Sequence, residues 1–189
     1  MFGGEYRAFE SASNMIERTQ RRLRQARFFY EHLLKARHQP EGDPEAFRFY
    51  FSAFIQAARS VTWTLSNEEP DKWKAWEPNW AANRSEEEQK LLKIATHLRN
   101  VEVKEGGANL TMELEEVVID AFVGTSRVEA SNPMGGITVW GQVRKQKVKR
   151  PVHYFQDEDG KEEATALCLR YLYFLEKMVG DFCADMKVE

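Results

Sequence analysis

Apolar residues recur every three or four positions in four separate stretches of this chain, and that period is the strongest constraint on its fold. Each stretch reads as one apolar stripe on an amphipathic helix. Ile16, Leu23, Ala26, Tyr30 and Leu33 mark a first helix over about 11 to 37. Phe47, Phe51, Phe54, Ala58, Val61 and Leu65 mark a second, with Asp43 as N-cap and Pro44 at the first helical position. Leu91, Ile94, Ala95, Leu98 and Val101 mark a third. The capping box Ser85-Glu86-Glu87-Glu88 opens it, and Gly106-Gly107 closes it after about Lys104. Ala164, Cys168, Tyr171, Leu175, Met178 and Phe182 form the stripe of a last helix, for which Asp159 is the expected cap and Glu162 its reciprocal partner. Phe51, Phe54, Leu91, Leu98, Leu175 and Met178 are then expected in one core.

Two segments depart from that period. Residues 68 to 83 hold Pro70, Pro78 and the tryptophans Trp73, Trp76 and Trp80, a pattern that predicts an ordered loop packed on the helices. From Leu110 to about Gln156 the period changes to two, with β-branched and aromatic runs at 117–123, 137–143 and 148–155. Asn132-Pro133-Met134-Gly135-Gly136 and Arg144-Lys145-Gln146 read as the turns between three short strands. The fold class is therefore mainly α, an antiparallel four-helix bundle with a small antiparallel β insertion before the last helix. At 189 residues the chain suits one domain, helical over about 11–109 and 158–187, with the β-rich insertion at about 110–156.

Composition excludes several function classes. An apolar share of 42% with 30% charge is that of a globular protein rather than a disordered one. Apolar runs are short and broken by charge, so none can span a bilayer. The first residues lack a signal peptide's apolar region, so the chain is expected to stay in the cytoplasm with no membrane partner. Cys168 and Cys183 lie roughly 22 Å apart along one expected helix, too far to bond. No Cys/His spacing suits a metal, and the glycine pairs make no phosphate loop, so neither metal nor cofactor is implied. The net charge of −3 gives no bulk attraction to nucleic acid, although two basic runs stand out. One comprises Arg18, Arg21, Arg22, Arg24, Arg27, Lys35 and Arg37. The other comprises Arg144, Lys145, Lys147, Lys149 and Arg150.

The third helix ends in Leu98-Arg99-Asn100-Val101-Glu102-Val103-Lys104-Glu105-Gly106. This resembles the Arg-Asn-x-x-x-His signature at the corresponding place in HEPN-domain proteins, small helical bundles found in RNases, toxins and phage-defence proteins. Phe54-Ile55-Gln56-Ala57-Ala58-Arg59-Ser60-Val61 is similar to the second helix of HEPN-like bacterial proteins. The resemblance covers about two thirds of the chain and leaves out the β insertion. It implies a homodimer paired around the motif, in which arginine grips the scissile phosphate of RNA and histidine moves a proton without a metal. Carried over, Arg99 is the phosphate clamp and Asn100 its polar helper.

This chain has Lys104 where the motif has histidine. A lysine with an ordinary pKa of ~10.4 stays protonated at neutral pH, so Lys104 offers charge to a phosphate but no base. Five residues of ideal helix also set Arg99 and Lys104 roughly 140° apart, so they converge only through long side chains or across a dimer. His97 precedes Arg99 by two residues and points about 160° away from it. The resulting reading is a HEPN-like protein without its acid–base group, a homodimeric binding or regulatory component of a bacterial defence or toxin-type system. The RNA contacts implied are Arg99, Lys104 and, on helix one, Arg21 and Arg24. Two other readings are an atypical metal-independent RNase using Arg99, Asn100 and Lys104, and a plain helical module that binds a protein partner through its sheet. An ion pair is expected for Arg59 within its aromatic helix. Surface or core roles are expected for His32, His38 and His153, and a packed lid for the Trp73, Trp76 and Trp80 cluster.

Overall fold

A computed structural model describes residues 16–37, 44–104, 110–123, 142–157 and 160–186. The helices are α1 (Glu17–Arg37), α2 (Pro44–Glu68), α3 (Pro70–Ala82), α4 (Glu86–Lys104) and α5 (Ala164–Asp185); the strands are β1 (Leu110–Val123), β2 (Gln142–Asp157) and β3 (Gly160–Glu163). The protein is mainly helical, with a small three-stranded antiparallel sheet in the order β1-β2-β3. The described residues fall into two compact units, one within Met1–Thr111 and His153–Glu189 and the other within Met112–Val152.

In the first unit the apolar stripes meet as the sequence requires. Phe51, Phe54, Leu91, Leu98, Leu175 and Met178 are all buried, as is the whole α2 stripe from Phe47 to Leu65. Helix α2 packs against α1, α3, α4 and α5, while α5 packs against α1, α2 and α4. Tyr171 of α5 sets its ring edge-on to Phe54 of α2 at 6.5 Å, within the range where aromatic pairs attract. The capping box forms as expected: Glu88 N–H donates to Ser85 Oγ at 3.2 Å, and Ser85 N–H donates to a Glu88 carboxylate oxygen at 3.0 Å.

Residues 70–82 are a helix, not the expected loop. Pro70 stands in its first turn, where a missing N–H costs nothing. Pro78 lies inside and removes one helical bond, but its surroundings compensate. Trp73, Trp76 and Trp80, spaced three and four apart, form one face against Phe174 and Phe182 of α5. Trp76 Nε1–H donates to Asp185 at 2.6 Å, and Trp80 Nε1–H donates to Asp181 at 3.0 Å. The three indoles thus bind this segment to α5, as expected for packed residues, but from a helix.

Two boundaries also differ. The expected turn at Arg144-Lys145-Gln146 is strand, because β2 runs through it without a break. Those residues include no Gly, Pro, Asn or Asp to favour a turn. The last helix starts at Ala164 with Glu163 as N-cap and no side-chain cap bond. Residues 160–163 instead pair with β2, Phe155 opposite Glu162 and Asp157 opposite Gly160. Gly160 has φ +137°, a backbone conformation that only glycine adopts cheaply. Glu162 pairs with Arg170 at 2.6 Å rather than with a helix N–H. Asp43, Gly106-Gly107, the turn at 132–136, the run at 137–141 and Asp159 lie outside the described residues.

Candidate functional site

Helix α2 carries a second, polar stripe. While Phe51 to Leu65 face the core, Gln56, Arg59, Ser60, Trp63 and Ser66 recur at helical spacing on another side. They form the wall of an open cleft of about 650 Å³, which Trp73 of α3 and Arg99 of α4 complete. All of these residues belong to the first unit. The volume is in the range of small-ligand sites.

The lining is cationic. Among the described residues, no carboxylate, histidine or cysteine lines the cleft, whereas two guanidinium groups do. Arg99 is exposed, and its Nη1–H donates to Asn100 Oδ1 at 3.1 Å, a neutral contact that leaves the charge in place. Arg59 is half-buried and donates to the hydroxyl of Tyr171. Burial pushes the Tyr171 hydroxyl up to about 12, outweighing the opposing pull of Arg59. Tyr171 is therefore neutral at physiological pH and accepts the bond without cancelling the charge. Among the described residues the partner of Arg59 is this phenol, where the sequence leads to an ion pair. An Arg fork that no carboxylate among the described residues fills suits a phosphate or carboxylate ligand.

The remaining wall is polar and flat. Ser60 Oγ–H donates to the Gln56 carbonyl at 2.7 Å, and Ser66 Oγ–H donates to the Trp63 carbonyl at 2.9 Å, so both hydroxyls lie back against their own helix. Trp63 is 69% exposed, which is unusual for so large an apolar ring. It offers a stacking face at the rim. Trp73 is half-buried, and its ring packs on Trp76 and Phe182.

The residues expected in the site are only partly gathered. Arg99 lines the cleft, with the half-buried Asn100 bonded to it. Lys104 is the last residue of α4, and its side chain lies outside what is described. Arg21 and Arg24 are exposed on α1, and neither lines the cleft. Arg21 pairs with Glu17 at 3.1 Å, and three more of that helix's cations are similarly matched: Arg18 to Glu68, Arg27 to Glu176 and Arg37 to Glu163. His97 lies 6.3 Å from the Phe155 ring and outside the cleft lining, as its helical phase requires. His153 is a buried core residue stacked on Phe47 at 3.8 Å. Trp63 was not anticipated. The signal was available, since Trp63 falls two residues after Val61 and so off the apolar stripe.

No family model, curated protein or solved structure matches the chain. Among the described residues no group of His, Cys, Asp or Glu is placed to hold a metal ion, and no helix is long and apolar enough to cross a membrane.

Proposed function

We propose that this chain is a HEPN-like protein whose motif has lost its acid–base group, and that it binds RNA rather than cleaving it. It acts as a homodimeric, cytoplasmic binding or regulatory component of a bacterial defence or toxin-type system. In this reading α1, α2, α4 and α5 form the antiparallel four-helix bundle of that superfamily, which their mutual packing supports. The observation that carries the reading is the pair Arg59 and Arg99 in one cleft with no carboxylate among the described residues of its lining. Arg99 grips phosphate, Asn100 orients it, and Lys104 and the α1 residues Arg21 and Arg24 add charge along the path. Trp63 gives an unpaired base a ring to stack on. Nothing in this set reads a base edge, so affinity is electrostatic and sequence preference weak.

The test is an affinity titration with labelled single-stranded RNA across salt concentrations. Binding should fall steeply with salt, and Arg59→Ala and Arg99→Ala should each weaken it, with a smaller effect from charge reversal at Arg21 and Arg24. A flat salt response, or full binding by the double Arg variant, removes RNA and leaves a protein-binding module. Cleavage in the absence of metal should be absent or very slow. Robust cleavage that disappears in Arg99→Ala would instead establish an atypical RNase using Arg99, Asn100 and Lys104.

A further inference from the structure

Among the described residues, strand β2 has one edge that mostly lacks a strand partner. On one side it pairs with β1; on the other, β3 reaches only Tyr154–Asp157. Among the described residues no strand pairs with that side of β2 over residues 142–153. An open edge presents unpaired N–H and C=O groups, a template for another strand. Pro151 lacks an N–H and so ends the useful edge, leaving residues 142–150, about 30 Å of strand.

The chemistry of this edge is one-sided. Arg144, Lys145, Lys147, Lys149 and Arg150 occupy five of its last seven positions. Alternation puts Lys145, Lys147 and Lys149 on one face and Arg144 and Arg150 on the other. A neighbouring strand would therefore meet cations above and below its backbone. The fold already shows which strand satisfies this demand. β1 carries Glu113, Glu115, Glu116 and Asp120, and Glu116 accepts from Lys147 Nζ at 2.6 Å across the pair. Opposite charges facing each other across a ladder stabilise it, and like charges destabilise it.

We propose that residues 142–150 of β2 are a docking edge for an acidic, extended segment of a partner protein, which adds as a strand on the side opposite β1. The same cations prevent the edges of two copies from pairing, since β2 against β2 would set lysine and arginine rows together. A nucleic acid is disfavoured, because it has no peptide N–H and C=O groups with which to complete a ladder on this edge. An added strand on the free side meets the cations first. This proposal is independent of the cleft.

The probe is a fluorescent twelve-residue peptide alternating Glu and Val, titrated into the full chain and followed by anisotropy. Its controls are the Lys-for-Glu peptide and a Glu peptide N-methylated at alternate residues, which cannot complete a ladder. The Glu peptide should bind, and amide exchange should slow within residues 142–150. Both controls should bind at least about tenfold more weakly. Lys145→Glu with Lys149→Glu should lose the Glu peptide roughly tenfold or more and gain the Lys peptide. Both side chains are exposed, and Lys145→Gln with Lys149→Gln provides a milder second variant whose circular dichroism checks the fold. Equal binding of the N-methylated peptide, or unchanged binding by the reversed variant, overturns strand addition. Displacement of the peptide by an equally charged oligonucleotide reassigns the edge to nucleic acid. A light-scattering mass that drops from dimer to monomer in the reversed variant assigns it to a second copy; either result refutes the proposal.

Discussion

Removing the Glu68 carboxylate should weaken the start of α1, although the two are about fifty residues apart in sequence. Helix α1 begins after Ile16, an apolar residue that cannot cap it. The orphan N–H groups of Arg18 and Thr19 donate instead to the two Glu68 oxygens at 2.9 and 2.8 Å, and Thr19 Oγ1–H adds a third bond at 2.8 Å. Arg18 is exposed, so water can replace its bond. Thr19 is fully buried, so Glu68→Ala leaves its N–H and hydroxyl without partners. Two such groups cost about 1–3 kcal/mol each, and partial relaxation brings the expected total to about 3 kcal/mol. At ~2–4 °C per kcal/mol for a chain of this size, Tm should fall by about 6–12 °C. Glu68→Gln retains an acceptor oxygen and should lose about half as much. Burial alone would raise the Glu68 pKa, but the Arg18 and Thr19 bonds more than offset it, and the net shift is downward. A carboxylate with a lowered folded pKa stabilises fully above its unfolded pKa, and this contribution is lost as pH falls through the folded value. Thermal unfolding followed by circular dichroism at pH ~7 and again below pH ~4 should therefore show the wild-type advantage shrinking in acid. A Tm for Glu68→Ala within about 1 °C of wild type at neutral pH would refute the cross-helix cap.

His153 and the two cysteines give further tests. Burial, helped by Arg48, lowers the His153 pKa, so the unfolded chain takes up a proton near pH ~6.5 that the folded chain refuses. Stability should fall as pH drops from there to the folded value, and His153→Phe, which keeps the stack on Phe47, should flatten this slope in urea titrations; an unchanged slope would contradict it. Cys168 is fully buried and its thiol pKa is raised well above the ordinary value, chiefly by burial, whereas Cys183 is half-buried. Maleimide labelling followed by mass spectrometry should modify Cys183 first and Cys168 only on denaturation, and early labelling of Cys168 would show that α5 is not packed as described.

What the sequence revealed depended on whether its signal was local. The stripes of α2 and α5 were legible because a 3.6-residue period is set by the helix itself and each stripe position is buried. Helix α3 was not, since Pro70 and Pro78 read as breakers. Only the docking of Trp76 and Trp80 on Asp185 and Asp181, a contact about a hundred residues long in sequence, shows what offsets the lost bond. The cap of α1 is hidden for the same reason, because Glu68 is remote from Thr19. In the candidate site, Arg99 was found through a motif and Arg59 through its odd place in an aromatic helix. Their shared cleft depends on how α2 and α4 pack, which no single stretch records.

The core also determines what the cleft can hold. Leu91, Ile94, Ala95 and Leu98 are buried on α4, and this phase leaves Arg99 facing outward. Rotating α4 by one residue would expose Leu98 and bury a guanidinium, so the apolar stripe fixes the arginine's direction more firmly than any contact of its own. The same holds for Arg59, which follows the buried Ala57 and Ala58 and ties to the core through Tyr171. Because Tyr171 stays neutral, the core positions Arg59 without neutralising it. A carboxylate in that place would position it equally well but quench it. Lys104 obeys the same helical phase and falls roughly 140° around α4 from Arg99. On one copy of α4 the two therefore meet at one site only through the length of their side chains, the other route being a pair of copies. In the cleft of one copy, Arg99 is joined by Arg59 of α2.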